Sequence, residues 1–158
     1  MSENFPMTVE GRRLLEEELK RLLTVDRPAV LKAIDEARAL GDLKENAEYH
    51  AAKERQSFIE GRIGQIGAQI AGAQVIDPSQ LHFEHIVFGA TVTLEDSDSG
   101  NEVKYQIVGV DEADISKGKI SVASPLARAM IGKKPGDEVS VRTPKGNTSY
   151  EVRKIQYI

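Results

Sequence analysis

Two apolar stripes of helical spacing, one on each side of residue 44, restrict the first half of this chain to a helical hairpin. Leu15, Leu19 and Leu22 recur at steps of 4 and 3, and Val30 and Ala37 fall on the same stripe. Past residue 50, Ala52, Ile59, Ile63, Ile66, Ile70 and Ala73 follow at steps of 7, 4, 3, 4 and 3, the heptad spacing of coiled-coil packing. Facing residues of an antiparallel pair keep a nearly constant sum of residue numbers. The pairs Leu15/Ala73, Leu19/Ile70, Leu22/Ile66, Val30/Ile59 and Ala37/Ala52 all sum to 88 or 89. Half of that sum places the turn at Lys44–Glu45.

Local signals refine the two arms. Thr8 is a suitable N-cap. Asp26 before Arg27-Pro28 reads as a break and restart, because proline is tolerated only in the first turn of a helix. The first arm is therefore expected as two collinear or slightly kinked pieces, about 8–24 and 27–40, stopped by Gly41. A second arm from Glu45 to Ile76 would span roughly 45–48 Å at ~1.5 Å per residue. Gly61, Gly64, Gly67 and Gly72 work against it, each costing up to ~1 kcal/mol relative to alanine. A close approach of the arms is one account of them.

From Asp77-Pro78 onward the period changes. Residues 90–95 and 102–108 are β-rich and flank Asp96-Ser97-Asp98-Ser99-Gly100-Asn101, a hairpin signature. Residues 119–122 form a third strand, and Ser124-Pro125 opens a short helix that ends at Gly132. Turns at Lys134-Pro135-Gly136-Asp137 and Pro144-Lys145-Gly146-Asn147 bracket strands near 138–143 and 149–155. The expected class is α+β: a coiled-coil hairpin over residues 1–76 and an antiparallel β domain with one short helix over 77–158.

Composition removes several function classes. With no cysteine, disulfides, thiolate metal sites and thiol nucleophiles are out, and a reducing, cytoplasmic setting fits. No apolar run reaches the ~18–20 residues that span a bilayer, so no membrane association is expected. Residues 1–76 carry 11 Lys/Arg against 13 Asp/Glu, and residues 77–158 carry 10 against 12. Neither half has the basic excess from which duplex binders draw most of their affinity, so independent duplex DNA binding is not expected.

The turn itself reads Gly41-Asp42-Leu43-Lys44-Glu45-Asn46-Ala47-Glu48-Tyr49. Asp42-x-x-Glu45 has the spacing of a capping box, and carboxylates are favoured at a helix start by the dipole. The same two carboxylates suit Mg²⁺, which keeps several waters and takes its remaining ligands from phosphates. Such a site is weak alone and needs a partner to supply the other half. Arg38, Lys44 and Lys53 flank the turn, either as phosphate-facing cations or in surface ion pairs with Asp35 and Glu48. Tyr49 is placed to stack on a base or to pack beside the turn. His50, His82 and His85 do not have the spacing of a metal cluster and read as surface or junction residues.

Ile34-Asp35-Glu36-Ala37-Arg38 leading into residues 41–49 resembles the signature of the Gre transcript-cleavage factors. Phe88-Gly89-Ala90-Thr91-Val92, Asp111-Glu112-Ala113-Asp114 and Ser124-Pro125-Leu126-Ala127-Arg128 match that family's second domain in order and spacing. The resemblance covers essentially the whole chain. It implies that the coiled coil, with its acidic tip at 41–46, enters the secondary channel of a backtracked bacterial RNA polymerase. Asp42 and Glu45 would help retain an Mg²⁺ in the polymerase active centre, which then hydrolyses its own transcript by two-metal chemistry. On this reading the protein has no activity alone and holds no tightly bound cofactor alone. Arg38, Lys44 and Lys53 would lie near the nascent RNA 3′ end. Residues 77–158 would form an FK506-binding-protein-like (FKBP-like) domain whose Ser124-Pro125 segment docks on the polymerase's rim coiled coil.

Three rivals are set against this reading. A channel-binding inhibitor of the same fold would not need the acids at 42 and 45. A peptidyl-prolyl isomerase needs an aromatic-lined pocket, for which residues 77–158 offer only Phe83, Phe88, Tyr105, Tyr150 and Tyr157. A coiled-coil adaptor has no use for paired acids at an exposed turn. Within the family the A-type is favoured, because B-type hairpins carry a larger basic patch and this hairpin is net acidic.

Overall fold

The computed structural model describes residues 5–144 and 146–158. The chain divides into two compact units. One contains Arg12–Ala73, and the other contains residues 5–11 together with Gln74–Ile158. Residues 5–11 and 74–76 thus fall outside the hairpin unit to which a boundary at 76 assigned them. The reason is local: strand β1 (Phe5–Thr8) pairs with β2 (Ala73–Ile76) in a two-stranded sheet.

In the first unit, α1 (Val9–Arg21) and α2 (Arg27–Arg38) form one arm, and α3 (Ala47–Ala71) forms the other. Thr8 does cap α1, its Oγ1 accepting from Gly11 N at 3.0 Å. The expected break at Asp26 is absent. Leu22–Asp26 form a π-helical turn in which Arg27 N–H bonds Leu22 O, and Asp26 stays in the right-handed helical region. A π turn accommodates one extra residue without ending the helix. It restores the phase of the stripe: Leu15 and Leu22 are buried seven apart, but the next buried residue, Val30, comes eight later. Ile34 and Ala37 complete the buried face.

On α3 only Ala52, Ile59 and Ile66 are buried, a strict heptad, whereas Ile63 and Ile70 are half-buried. The helix ends at Ala71 rather than Ile76, capped by Gly72 N–H on Ala68 O, and Ala73 belongs to β2. Its 25 residues span ~37 Å, shorter than the expected arm. A Cβ at Gly61, Gly64 or Gly67 would meet nothing within 4 Å, so close approach of the arms does not explain these glycines.

The register also shifts. With α2 ending at Arg38 and α3 starting at Ala47, the turn centres between Asp42 and Leu43, not at Lys44–Glu45. Toward the base Arg62 donates to Glu18, and Leu22 and Ile59 line one recess of about 520 Å³.

In the second unit, five strands are ordered β5-β4-β3-β7-β6. They are β3 (Thr91–Asp96), β4 (Glu102–Val108), β5 (Lys119–Ser121), β6 (Glu138–Thr143) and β7 (Gly146–Gln156). Lys145, part of one predicted turn, lies outside the described residues. The sheet is mixed, not antiparallel throughout: β4 and β5 run parallel, with Ile107 opposite Ile120. Two 3₁₀ turns, Val110–Glu112 and Ile115–Lys117, carry the chain back so that β5 starts at the same end as β4. Between β3 and β7 the register slips at Thr93/Leu94, leaving Arg153 as the bulged residue. Leu94 and Val152 therefore both face the core with Val92, Ile107, Val139 and the α4 (Pro125–Met130) residues Ala127 and Met130.

Candidate functional site

The segment between α2 and α3 is short and exposed from Ala39 through Glu45. Gly41 takes φ +117°, a conformation that favours glycine, and turns the chain out of α2. Asp42 Oδ1 then accepts from Lys44 N at 3.0 Å, an Asx turn. The expected Asp42–Glu45 capping box is not formed. Asn46 is the N-cap instead, its Oδ1 accepting from Tyr49 N at 3.0 Å and its Nδ2 donating to Ala37 O at 2.6 Å. An amide side chain can do both; a carboxylate cannot, which is why asparagine and not Glu45 starts the helix. Asn46 also ties the start of one arm to the end of the other.

This leaves both acids uncommitted to helix capping. Asp42 and Glu45 line one recess of about 380 Å³ with Leu40, Asn46, Ala47 and Glu48. Among the described residues the Glu45 carboxylate accepts no hydrogen bond, and no group of three or more His, Asp or Glu side chains could hold a metal. The donor set is thus two hard oxygen groups open to solvent, with room beside them.

The basic residues sit around the same turn. The Arg38 guanidinium lies over the Tyr49 ring, 5.9 Å from its centroid, so the tyrosine packs beside the turn. Lys53 Nζ donates to Gln56 Oε1 at 3.0 Å. Among the described residues neither Arg38, Lys44 nor Lys53 forms an ion pair with Asp35 or Glu48. His50, read as a surface or junction residue, is exposed and belongs to the tip: its Nε2 lies 3.0 Å from Lys44 O, and its ring meets Tyr49 edge-on at 5.7 Å. Asn46 had a legible signal, an asparagine directly before a helical run; His50 had none, because its partner is a backbone carbonyl.

In the other unit, Ser124 caps α4 by accepting from Ala127 N at 3.3 Å while donating to Ser121 O at 2.7 Å. Pro125 follows at the first helical position with its ring exposed.

Two family models cover the chain: "Transcription elongation factor, N-terminal" over residues 5–75 and "Transcription elongation factor, GreA/GreB, C-term" over 81–157. The chain belongs to the GreA/GreB family. It is 58% identical to transcription elongation factor GreA of Phenylobacterium zucineum over 99% of each chain. It is 59% identical to that of Ralstonia nicotianae, over 97% of this chain and 98% of the relative. Among solved structures it is similar to the GreA factor homolog 1 (Gfh1) protein of Thermus thermophilus, 28% identical, TM-score 0.45, covering 98% of this chain and 99% of that one. A GreA/GreB factor of Nitrosomonas europaea is 21% identical with TM-score 0.43, covering 97% and 99%. As a Gre-type transcription elongation factor, the chain carries the family's two domains along nearly its whole length, and its curated relatives are of the GreA kind. No described helix is long and apolar enough to cross a membrane.

Proposed function

We propose that this Gre factor rescues backtracked or arrested bacterial RNA polymerase by inserting its hairpin into the secondary channel and stimulating the polymerase's own cleavage of the nascent RNA 3′ end. One observation carries the reading: Asp42 and Glu45, in a chain of this family, share an open recess at the turn of the hairpin and neither caps a helix.

The chain's part in the chemistry is electrostatic and geometric. Two exposed carboxylates are hard ligands of the type Mg²⁺ prefers, and since among the described residues no group of three or more such side chains could hold a metal, they supply only part of a coordination shell. The remaining ligands must come from polymerase, RNA and water, which makes the factor an accessory without activity alone. When bound, Mg²⁺ stabilises the attacking or leaving oxygen of a phosphoryl displacement. Asp42 and Glu45 are the residues of this chain that would hold the ion. Arg38, Lys44 and Lys53, free of competing ion pairs among the described residues, are available to the RNA 3′-end phosphates. Pro125, exposed beside the cap residue Ser124, docks on the rim coiled coil of the polymerase.

The test compares the natural chain with Asp42→Asn and Glu45→Gln on purified, backtracked polymerase at limiting Mg²⁺. Both variants are expected to compete for polymerase as before and to lose cleavage stimulation. Full cleavage by the double variant overturns the proposal.

A further inference from the structure

We propose that His50 is a positioning residue that holds the turn bearing Asp42 and Glu45 in its working conformation; the inference rests on the reading of the tip given above. The His50 side chain reaches back past Glu45 to the turn. Its Nε2 donates to the carbonyl of Lys44 at 3.0 Å, while its backbone N makes the first helical bond of α3, to the carbonyl of Asn46 at 3.1 Å. Lys44 is in turn tied to Asp42, whose Oδ1 accepts from Lys44 N at 3.0 Å. One continuous chain of bonds therefore runs Asp42–Lys44–His50–Asn46, with Glu45 enclosed in it.

These bonds matter because, apart from the Asn46 cap and two long turn bonds, Gly41 N to Arg38 O at 3.3 Å and Asn46 N to Leu43 O at 3.4 Å, little else restrains the segment. Residues 39–45 are all exposed, so no buried apolar side chain limits them. A free backbone loses ~1–2 kcal/mol per residue on being fixed, a cost that a partner must otherwise meet when it binds. Meeting it within the free protein leaves the two carboxylates pre-set for a shared ion. The latch is also indifferent to the charge of the ring. A carbonyl only accepts, so Nε2 must carry a proton, and both the neutral Nε2–H tautomer and the imidazolium provide one.

The experiment uses the full chain with His50→Ala and His50→Gln, and Asp42→Asn as the control for the functional reading. Because His50 is exposed on α3, both substitutions leave the hairpin folded, checked by thermal unfolding. In the free protein, amide exchange at residues 44–46 is expected to quicken in His50→Ala and to return part-way in His50→Gln, whose amide can still donate. On backtracked polymerase, His50→Ala should lower cleavage stimulation roughly tenfold at limiting Mg²⁺, recover at high Mg²⁺, and keep its apparent affinity for polymerase. Unchanged exchange at 44–46 in His50→Ala overturns the inference. So does a cleavage defect that neither Mg²⁺ nor His50→Gln relieves. Full cleavage by Asp42→Asn instead strikes the functional reading, while the exchange result in the free protein still decides whether His50 holds the turn.

Discussion

Arg62 grips Glu18 across the two arms of the hairpin with two nitrogens, Nε on Oε2 at 2.6 Å and Nη2 on Oε1 at 2.7 Å. This fork geometry is the stronger form of ion pair. The hydrogen bonds from Arg62 hold the Glu18 carboxyl below its ordinary value, against a smaller opposing effect of burial. A carboxyl depressed in the folded state stabilises above its unfolded value and loses that contribution as pH falls through the folded one. Glu18→Gln should therefore cost about 0.5–1 kcal/mol at neutral pH, discounted for the partial exposure of the pair. Urea unfolding should show the difference shrinking toward zero as pH drops below the ordinary glutamate value of 4.5.

The exposed glycines of α3 offer a gain of stability. Since a Cβ at Gly61, Gly64 or Gly67 meets open space, each change to alanine should stabilise the helix by about 0.5–1 kcal/mol. Thermal unfolding of the triple variant is expected to rise. If transcript cleavage drops while stability rises, flexibility of this stretch is what the glycines serve.

Glu112 is expected to be among the most sensitive positions in the second unit. Its carboxylate accepts from Thr8 N at 2.7 Å and from Thr8 Oγ1, and Thr8 is 3% exposed. Glu112→Ala strands a buried amide, which should cost about 1–3 kcal/mol in denaturant unfolding. Gly109→Ala should cost a similar ~1–3 kcal/mol, because its Cβ would sit 2.6 Å from the Pro6 carbonyl, a backbone atom that cannot swing aside.

Tyr157 Oη donates to His85 O at 2.6 Å and accepts from Val87 N at 3.0 Å. Tyr157→Phe removes both bonds and should destabilise by about 1–3 kcal/mol at neutral pH. Burial pushes the phenol above its ordinary value of 10.0, partly offset by the Val87 bond. A raised value means stability that is full below pH 10 and lost as pH climbs through the folded value, so the natural chain should lose more stability in alkali than the phenylalanine variant.

Sequence periodicity carries some of these features and not others. Strands 102–108 and 138–143 were legible to the residue because alternation and turn residues are local properties. The parallel pairing of β5 was not, since a three-residue strand carries no mark of its neighbour's direction. The π turn left a trace in the eight-residue step from Leu22 to Val30, but Asp26-Pro28 is equally the pattern of a helix restart. The acids at the turn stood out as a pair. The bonds that order them did not, because Lys44 and Asn46 take part through backbone carbonyls, which have no side-chain signature.

Thr8 and Glu112 lie 104 positions apart, and the order of synthesis gives that separation a meaning. As the chain leaves the ribosome, α1, α2 and α3 can zip together once residue 71 has emerged. The opening turn of α1 must wait for some forty residues more before its acceptor exists. A nascent or truncated product ending before residue 112 should therefore show paired arms with a frayed beginning, its Thr8 amide still bonded to water.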